Sequence, residues 1–308
     1  MIRVIMLDLG DTLTDGQRLF PHVPDCLEAL ADFVAADGKT VELCLVSDFS
    51  LADPFTEAEV GARFEEYLEI LDRLALRPHF EPVERRVTLS THANVFKPDR
   101  RVFTTALDRL GGEKDLANCL FITENREHIV ACRSHGMTAV PFGNDAGREG
   151  GFDSWPEGLF VIAKTIAPDR AENLEIALRV WAGARHGIEN LRVAEAGQGD
   201  VISVTAQRWV PLEDPELGPL DGINVRMPVT LNVRQAASGA PEVVEAGHPS
   251  EDELKEAKLF VKSLSEHHQI ARDPSEDAGG ASHYVETDPS GRRMLKRRGF
   301  QFKGTGPR

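Results

Sequence analysis

The sequence predicts an α/β protein: a doubly wound parallel sheet in the first half, followed by a second domain of the α+β class. Short, continuous apolar runs such as Val4–Leu7 and Val41–Val46 are typical of strands buried on both faces. Segments with helical spacing of apolar residues alternate with these runs, as expected for parallel strands joined by helices. Beyond residue 150 the pattern changes, and Ile223–Val233 alternates apolar and polar residues like a half-buried strand.

The elements of the first half follow from these runs and from local start and stop signals. Thr56 and Glu59 form a capping-box pattern that starts a helix with Tyr67 and Leu68 on its apolar face. Gly111 ends a later helix, since glycine commonly follows the last helical residue. We predict strands at Val4–Leu7, Val41–Val46, Val83–Leu89, Leu120–Thr123 and Thr138–Phe142, and helices at Val23–Ala36, from Glu57, at Val102–Leu110 and at Ile129–Ser134.

A glycine-rich segment near residues 142–156 separates the two halves, so we predict domains at 1–150 and 151–308. In the second half we predict helices at Ala171–Arg185 and after the capping box at Ser250, and strands at Val201–Val210 and Ile223–Val233. Pro228 within the last of these indicates an edge strand or a bulge. A turn at Asp288–Gly291 predicts a basic hairpin at the end of the chain.

The amino-acid composition excludes several classes of protein and partner. The chain of 308 residues is 41% hydrophobic and 28% charged, with a net charge of −15, so we do not expect a nucleic acid as partner. The exception is the basic segment Arg292–Arg308, which contains no acidic residue. No apolar run is long enough to span a membrane, the first residues do not resemble a secretion signal, and the four cysteines form no paired motif. We therefore expect a cytoplasmic protein that acts away from membranes.

Four polar residues follow predicted strands or start a helix at positions where α/β sheets bind ligands. Asp8 comes directly after the first strand, and Ser47 ends the second. Lys97 precedes Pro98 at the start of a helix, and Glu124 follows a later strand. Residues of this kind can provide a nucleophile, a hydroxyl donor, a positive charge and a metal ligand.

In this order and context the four residues resemble the motifs of the haloacid dehalogenase-like (HAD) superfamily, whose members are mostly phosphohydrolases. The resemblance covers about residues 1–145. It implies that Asp8 attacks phosphorus to form an aspartyl-phosphate, assisted by Ser47 and Lys97 as catalytic residues. It also implies that Thr12, Ser47 and Lys97 contact the phosphoryl group. Mg²⁺ would be the cofactor, held by Asp8, the Gly10 carbonyl and Glu124.

Two departures from the family pattern leave alternatives open. The family usually has a second Asp, the general acid, two residues after the nucleophile, but this sequence has Gly10, and the later acid of the fourth motif is replaced by His128. The chain is then either a phosphatase-like hydrolase or a degenerate scaffold that acts as a binding or regulatory protein. The intervals between the motifs leave no room for a large cap domain. The substrate is accordingly expected to be a phosphorylated small molecule or a macromolecule that reaches an open site.

Overall fold

The first half of the chain folds into a five-stranded parallel sheet. The computed structural model describes residues 1–144, 146–186, 188–195, 201–236, 240–275, 280–288 and 291–298. The strands are β1 (Val4–Leu7), β2 (Glu42–Ser47), β3 (Val87–Leu89), β4 (Cys119–Thr123) and β5 (Thr138–Pro141). Their order is β3-β2-β1-β4-β5, and every neighbouring pair is parallel.

Helices cover both faces of this sheet, which confirms the predicted doubly wound α/β class. The helices of this half are α1 (Val23–Ala31), α2 (Glu57–Arg73), α3 (Val83–Arg86), α4 (Ser90–Ala93), α5 (Arg100–Leu110) and α6 (Arg126–Ser134). Apolar residues of α1 and α2 pack on one face with Ile5 and Leu7, and those of α5 and α6 pack on the other with Val4 and Met6. The connections from β1 to β2 and from β2 to β3 contain these helices and no additional domain.

Two predicted elements differ most from the structure. The strand predicted at Val83–Leu89 begins as a helical turn, α3, and becomes extended only at Val87. Val83 is nonetheless buried in the core, so its apolar character reports burial and not strand geometry. The helix predicted to reach Ala36 ends at Ala31, where the Asp32 N–H caps the last turn by bonding to the Ala29 and Leu30 carbonyls.

The second half contains a mixed sheet and therefore confirms the α+β class. Its strands are β6 (Ile188–Glu195), β7 (Val201–Leu212), β8 (Ile223–Gln235), β9 (Pro241–Ala246), β10 (Ile270–Ala271), β11 (His283–Thr287) and β12 (Arg293–Arg297). The order is β10-β11-β12-β8-β7-β6, and β9 also pairs with β8. The β11–β12 pair is the antiparallel hairpin predicted near the end of the chain. Residues 299–308, with the basic Lys303 and Arg308, lie outside the described residues.

Pro228 does not mark an edge strand. β8 lies inside the sheet, and Pro228 is aligned with Gln207 of β7. On its other side, β8 pairs with β12 at Asn224 and with β9 only from Leu231 onward. Pro228 lies between these two neighbours, where a missing N–H removes no described ladder bond.

The helices α7 (Trp155–Ile166), α8 (Ala171–His186) and α9 (Glu251–Glu266) complete the fold. α7 and α8 pack against α1, and α8 also contacts β6. One apolar core therefore runs from Leu7 of the parallel sheet through Trp181 of α8 to Val204 of the second sheet.

The domain boundary at residue 150 stays a prediction. In the part of the chain that the structure describes, no helix has the length and apolar character needed to cross a membrane.

His92 makes the stability of the first half dependent on pH. Its Nδ1 accepts a hydrogen bond from the Leu89 N–H at 2.9 Å, and burial, with a smaller effect of Arg109, lowers the pKa of His92 to about 4. An unfolded histidine titrates near pH 6.5. Between these values the unfolded chain binds a proton that the folded chain does not, so stability is lost as the pH falls below 6.5.

We expect His92 to reduce the free energy of unfolding by about 2 kcal/mol between pH 7 and pH 5. Urea unfolding at several pH values measures this change. The variant His92→Gln keeps a hydrogen-bond acceptor but cannot titrate, so its pH dependence should be smaller by that amount. Identical pH dependence in the two proteins would show that His92 does not contribute.

Candidate active site

Asp8 stands at the carboxyl edge of the parallel sheet, immediately after β1. The register between β1 and β4 aligns Leu7 with Ile122 and so brings Asp8 beside Thr123. The Thr123 hydroxyl donates to Asp8 Oδ2 at 2.9 Å, and the Leu9 N–H donates to Oδ1 at 2.9 Å. Asp8 is buried, and both of its carboxylate oxygens are fixed by hydrogen bonds.

Lys97 forms a buried ion pair with Asp8. Its Nζ lies 2.5 Å from Asp8 Oδ2, and its side chain is 1% exposed. Nζ also donates to the Val46 carbonyl at 3.2 Å, while the Lys97 backbone N–H donates to Asp48 Oδ1 at 2.8 Å. These bonds hold a positive charge beside the carboxylate at the end of β1.

Loss of the Lys97 charge should destabilise the folded protein, because Asp8 would remain buried without a counter-charge. We expect Lys97→Met to lower the free energy of unfolding by about 3–5 kcal/mol in urea denaturation. Adding Asp8→Asn to this variant should restore most of the loss. As a control, Lys262→Met removes an exposed ion pair with Glu216 and should lower the free energy of unfolding far less. Equal losses in Lys97→Met and Lys262→Met would contradict the prediction.

Glu124 is held next to Asp8 by two threonines. The Thr12 hydroxyl donates to Glu124 Oε2 at 2.7 Å and accepts a hydrogen bond from the Glu124 N–H at 3.1 Å. The Thr123 hydroxyl, which donates to Asp8, lies 3.2 Å from the same Oε2. Thr12 is fully buried, and its carbonyl accepts a bond from the Trp155 indole N–H at 2.8 Å. The contact of Thr12 with phosphate therefore stays a prediction, since its hydroxyl is occupied by Glu124.

The chemistry of these oxygen donors fits Mg²⁺. In proteins this ion takes one or two carboxylates and completes its shell with water and substrate phosphate. Asp8 and Glu124 are two carboxylates gathered around one hydroxyl. Gly10 lies in the same loop, and its carbonyl stays a predicted ligand. Among the described residues, no group of three or more His, Cys, Asp and Glu side chains is placed to hold a metal ion.

Ser47 ends β2, the strand next to β1, and its hydroxyl makes one long hydrogen bond, 3.5 Å, to the Asp48 carbonyl. Tyr67 of α2 is buried beside it. Burial raises the pKa of the Tyr67 hydroxyl, and nearby Ser47 opposes that shift. The Tyr67 oxygen has no hydrogen-bond partner of acceptable geometry. From the sequence, Tyr67 was placed on the apolar face of its helix and was not predicted to lie at the site. Its hydroxyl on that apolar face was the feature that could have indicated this.

Gly10 leaves space where the family pattern has its general acid. A Cβ built on Gly10 would meet no atom within 4 Å, and the residue does not have a positive φ. Its neighbour Asp11 is exposed and has a left-handed backbone with φ of 52°. The loop after Asp8 can therefore accept a side chain at position 10.

His128 lies close enough to the site for the charged site residues to affect its pKa. Burial is the largest cause that lowers the pKa of His128, followed by Lys97, while Asp8, Asp48 and Glu124 oppose the shift. Its Nδ1 is buried without a hydrogen-bond partner. Farther along the same helix, α6, Cys132 is a buried free thiol, and just after the helix His135 Nε2 lies 3.0 Å from the Pro98 carbonyl.

Comparisons with known proteins find distant similarities to several solved structures, two of which are described below. No protein-family model matches the sequence, and no curated protein matches it. An uncharacterized protein from Corynebacterium glutamicum is 18% identical, with 47% of this chain and 87% of that chain covered and a TM-score of 0.30. L-2-haloacid dehalogenase from Xanthobacter autotrophicus is 14% identical, with 55% of this chain and 85% of that chain covered and a TM-score of 0.33. We draw no conclusion about function from either similarity.

Proposed function

We propose that this chain is a Mg²⁺-dependent phosphohydrolase of the HAD type, with Asp8 as the nucleophile. The observation that carries the proposal is the arrangement around Asp8, whose carboxylate is paired with Lys97 and linked to Glu124 through the Thr123 hydroxyl. Such an arrangement places a carboxylate, a positive charge and a second acidic ligand at one edge of a parallel sheet. It suits the transfer of a phosphoryl group better than it suits a purely structural contact.

The reaction consists of two displacements at phosphorus. An Asp8 oxygen forms a bond to phosphorus while the bond from phosphorus to the leaving oxygen breaks, giving an aspartyl-phosphate and the released group. Water then attacks the same phosphorus, the bond to Asp8 breaks, and inorganic phosphate leaves. Lys97 stabilises the negative charge of the transferring group, and Ser47 would donate to one of its oxygens. Bound Mg²⁺ supplies charge neutralisation and orientation of the phosphoryl oxygens.

Gly10 restricts the leaving group. A general acid at this position would protonate the departing oxygen, and its loss typically costs about 10²–10⁴-fold in rate. Acyl phosphates, anhydrides and activated esters release an anion that needs no such proton. We therefore propose substrates with good leaving groups, in a phosphorylated small molecule or in a macromolecule, since the connections between β1 and β3 contain no additional domain.

The same glycine favours a second candidate function. A chain that keeps Asp8 and Lys97 but lacks the general acid fits a degenerate scaffold that binds a phosphorylated ligand or a macromolecular partner without turnover. Saturable binding of phosphate without hydrolysis would support this alternative.

The test is release of phosphate from acetyl phosphate and from an activated aryl phosphate. We expect turnover with Mg²⁺, loss of turnover with EDTA, and recovery when excess Mg²⁺ is returned. Phosphate release that is equal in Mg²⁺ and EDTA would contradict the metal-dependent mechanism. Phosphate release no faster than in the variant Asp8→Asn would overturn the hydrolase proposal.

A further inference from the structure

The second sheet contains a cleft where two of its strands separate. β8 and β12 run parallel and are paired at one described position, Asn224 with Met294. Beyond this pair, residues from both strands line a cavity of about 390 Å³, which α9 borders with Phe260. We call this cavity the strand cleft. Its size lies within the range of small-molecule sites in proteins.

The strand cleft is lined by cations. Arg226 of β8 and the adjacent Lys296 and Arg297 of β12 border it, and its lining includes no acidic side chain among the described residues. Lys296 is paired with Glu286 of the neighbouring strand at 2.8 Å. Because Glu286 offsets the charge of Lys296, the two arginines provide the positive charge of this cleft, in a chain whose net charge is −15. Such a site attracts a small anion more than the rest of the surface does.

Aromatic side chains border the same cleft. The Arg226 guanidinium lies 5.0 Å from the centre of the Trp209 ring, and Tyr284 is also in the lining. Phe260 is 52% exposed, and its ring centre lies 5.7 Å from that of His283. A large apolar ring left this exposed at the mouth of a cavity offers a stacking surface to a planar ligand.

We propose that the strand cleft binds a small planar aromatic molecule that carries a phosphate or carboxylate group, with the size of a mononucleotide. The ring would stack on the aromatic side chains, and the anionic group would pair with Arg226 and Arg297. A polynucleotide is disfavoured because the cavity has the size of one small ligand and the net charge of the chain repels a polyanion. This proposal does not depend on Asp8 or on hydrolysis.

The test is a calorimetric titration of the full chain with adenosine 5′-monophosphate, with EDTA present so that the metal-dependent site does not contribute. We expect saturable binding of adenosine 5′-monophosphate. Binding should be at least tenfold weaker for adenosine, which lacks the anionic group, and for inorganic phosphate, which lacks the planar ring. Binding should quench tryptophan fluorescence, because Trp209 borders the cleft. No saturable binding at millimolar concentration overturns the proposal.

Two variants locate the binding. Arg226→Gln removes a lining cation, and we expect it to weaken binding at least tenfold. Arg234→Gln is the matched control, because Arg234 lies on the same strand outside the cleft lining and pairs with Glu242 at 2.8 Å. It should change affinity less than twofold. Arg297→Gln gives a second measurement if Arg226→Gln fails to fold, because Arg297 is exposed.

Three further outcomes would contradict the proposal. Equal effects of Arg226→Gln and Arg234→Gln would place the ligand elsewhere. Equal affinity for inorganic phosphate and the nucleotide would indicate a nonspecific anion site. Affinity for a single-stranded oligoadenylate that exceeds that for the mononucleotide more than tenfold would indicate a polynucleotide as the ligand.

Discussion

Replacing Asp8 by asparagine is expected to lower the rate of phosphate release from acetyl phosphate by at least about 10³-fold. The amide nitrogen or oxygen that replaces the carboxylate is a poor nucleophile, so the aspartyl-phosphate cannot form. Asparagine is close in shape to aspartate and can still accept the hydrogen bond from the Leu9 N–H. The measurement is a steady-state assay with Mg²⁺, together with circular dichroism to show that the variant is folded.

The neighbouring residue Asp11 offers a matched control for this prediction. Asp11 is an exposed carboxylate in a left-handed backbone conformation, which asparagine tolerates well. Asp11→Asn removes the same charge from the same loop, and we expect it to change the rate less than about twofold. A similar fall in both variants would mean that the loop charge, and not the Asp8 nucleophile, determines the activity.

Introducing an acidic side chain at Gly10 is expected to raise the rate of hydrolysis of alkyl phosphates. Aspartate at position 10 has room, since a Cβ there meets no atom within 4 Å and the backbone needs no positive φ. The added carboxylic acid would protonate the leaving oxygen of an alkyl phosphate. We expect Gly10→Asp to raise that rate by about 10²-fold. Hydrolysis of acetyl phosphate, whose leaving group needs no proton, should change little.

Two further variants separate acid catalysis from other effects at this position. Gly10→Asn has the same shape without the acid, and we expect no gain on alkyl phosphates. Gly61→Asp adds a carboxylate to α2 at another glycine with open space and no positive φ, and it too should have no effect on rate. A gain in Gly10→Asn equal to that in Gly10→Asp would rule out proton transfer as its cause.

Local sequence patterns predicted the parallel sheet well because each buried strand is a continuous apolar run. β1, β2 and β4 lie where the runs predicted them, and the polar residues after them meet at one edge. This convergence follows from parallel pairing alone, since the carboxyl ends of neighbouring strands are adjacent. Asp8 and Lys97 form an ion pair at this edge.

Contacts between distant side chains could not be predicted in the same way. Thr123 links Asp8 to Glu124 only because β1 and β4 are neighbours in a particular register, which no local pattern reports. Val83 shows a related limit, because one buried apolar residue has the same character in a helical turn and in a strand. Pro228 was misassigned because the strands that flank β8 leave a space opposite it.

We expect the apolar core shared by the two sheets to make them unfold together. Leu7 beside the Asp8 loop and Val204 of β7 belong to one continuous set of packed side chains. Amide hydrogens in β1 and β7 that are protected in this core would then exchange with solvent through one common unfolding event, and not through separate events for each sheet. A chain ended at residue 150 would lack α7 and α8 and leave α1 uncovered. We therefore expect the Asp8 loop to keep its folded conformation only when α7 and α8, which lie far along the sequence, are present.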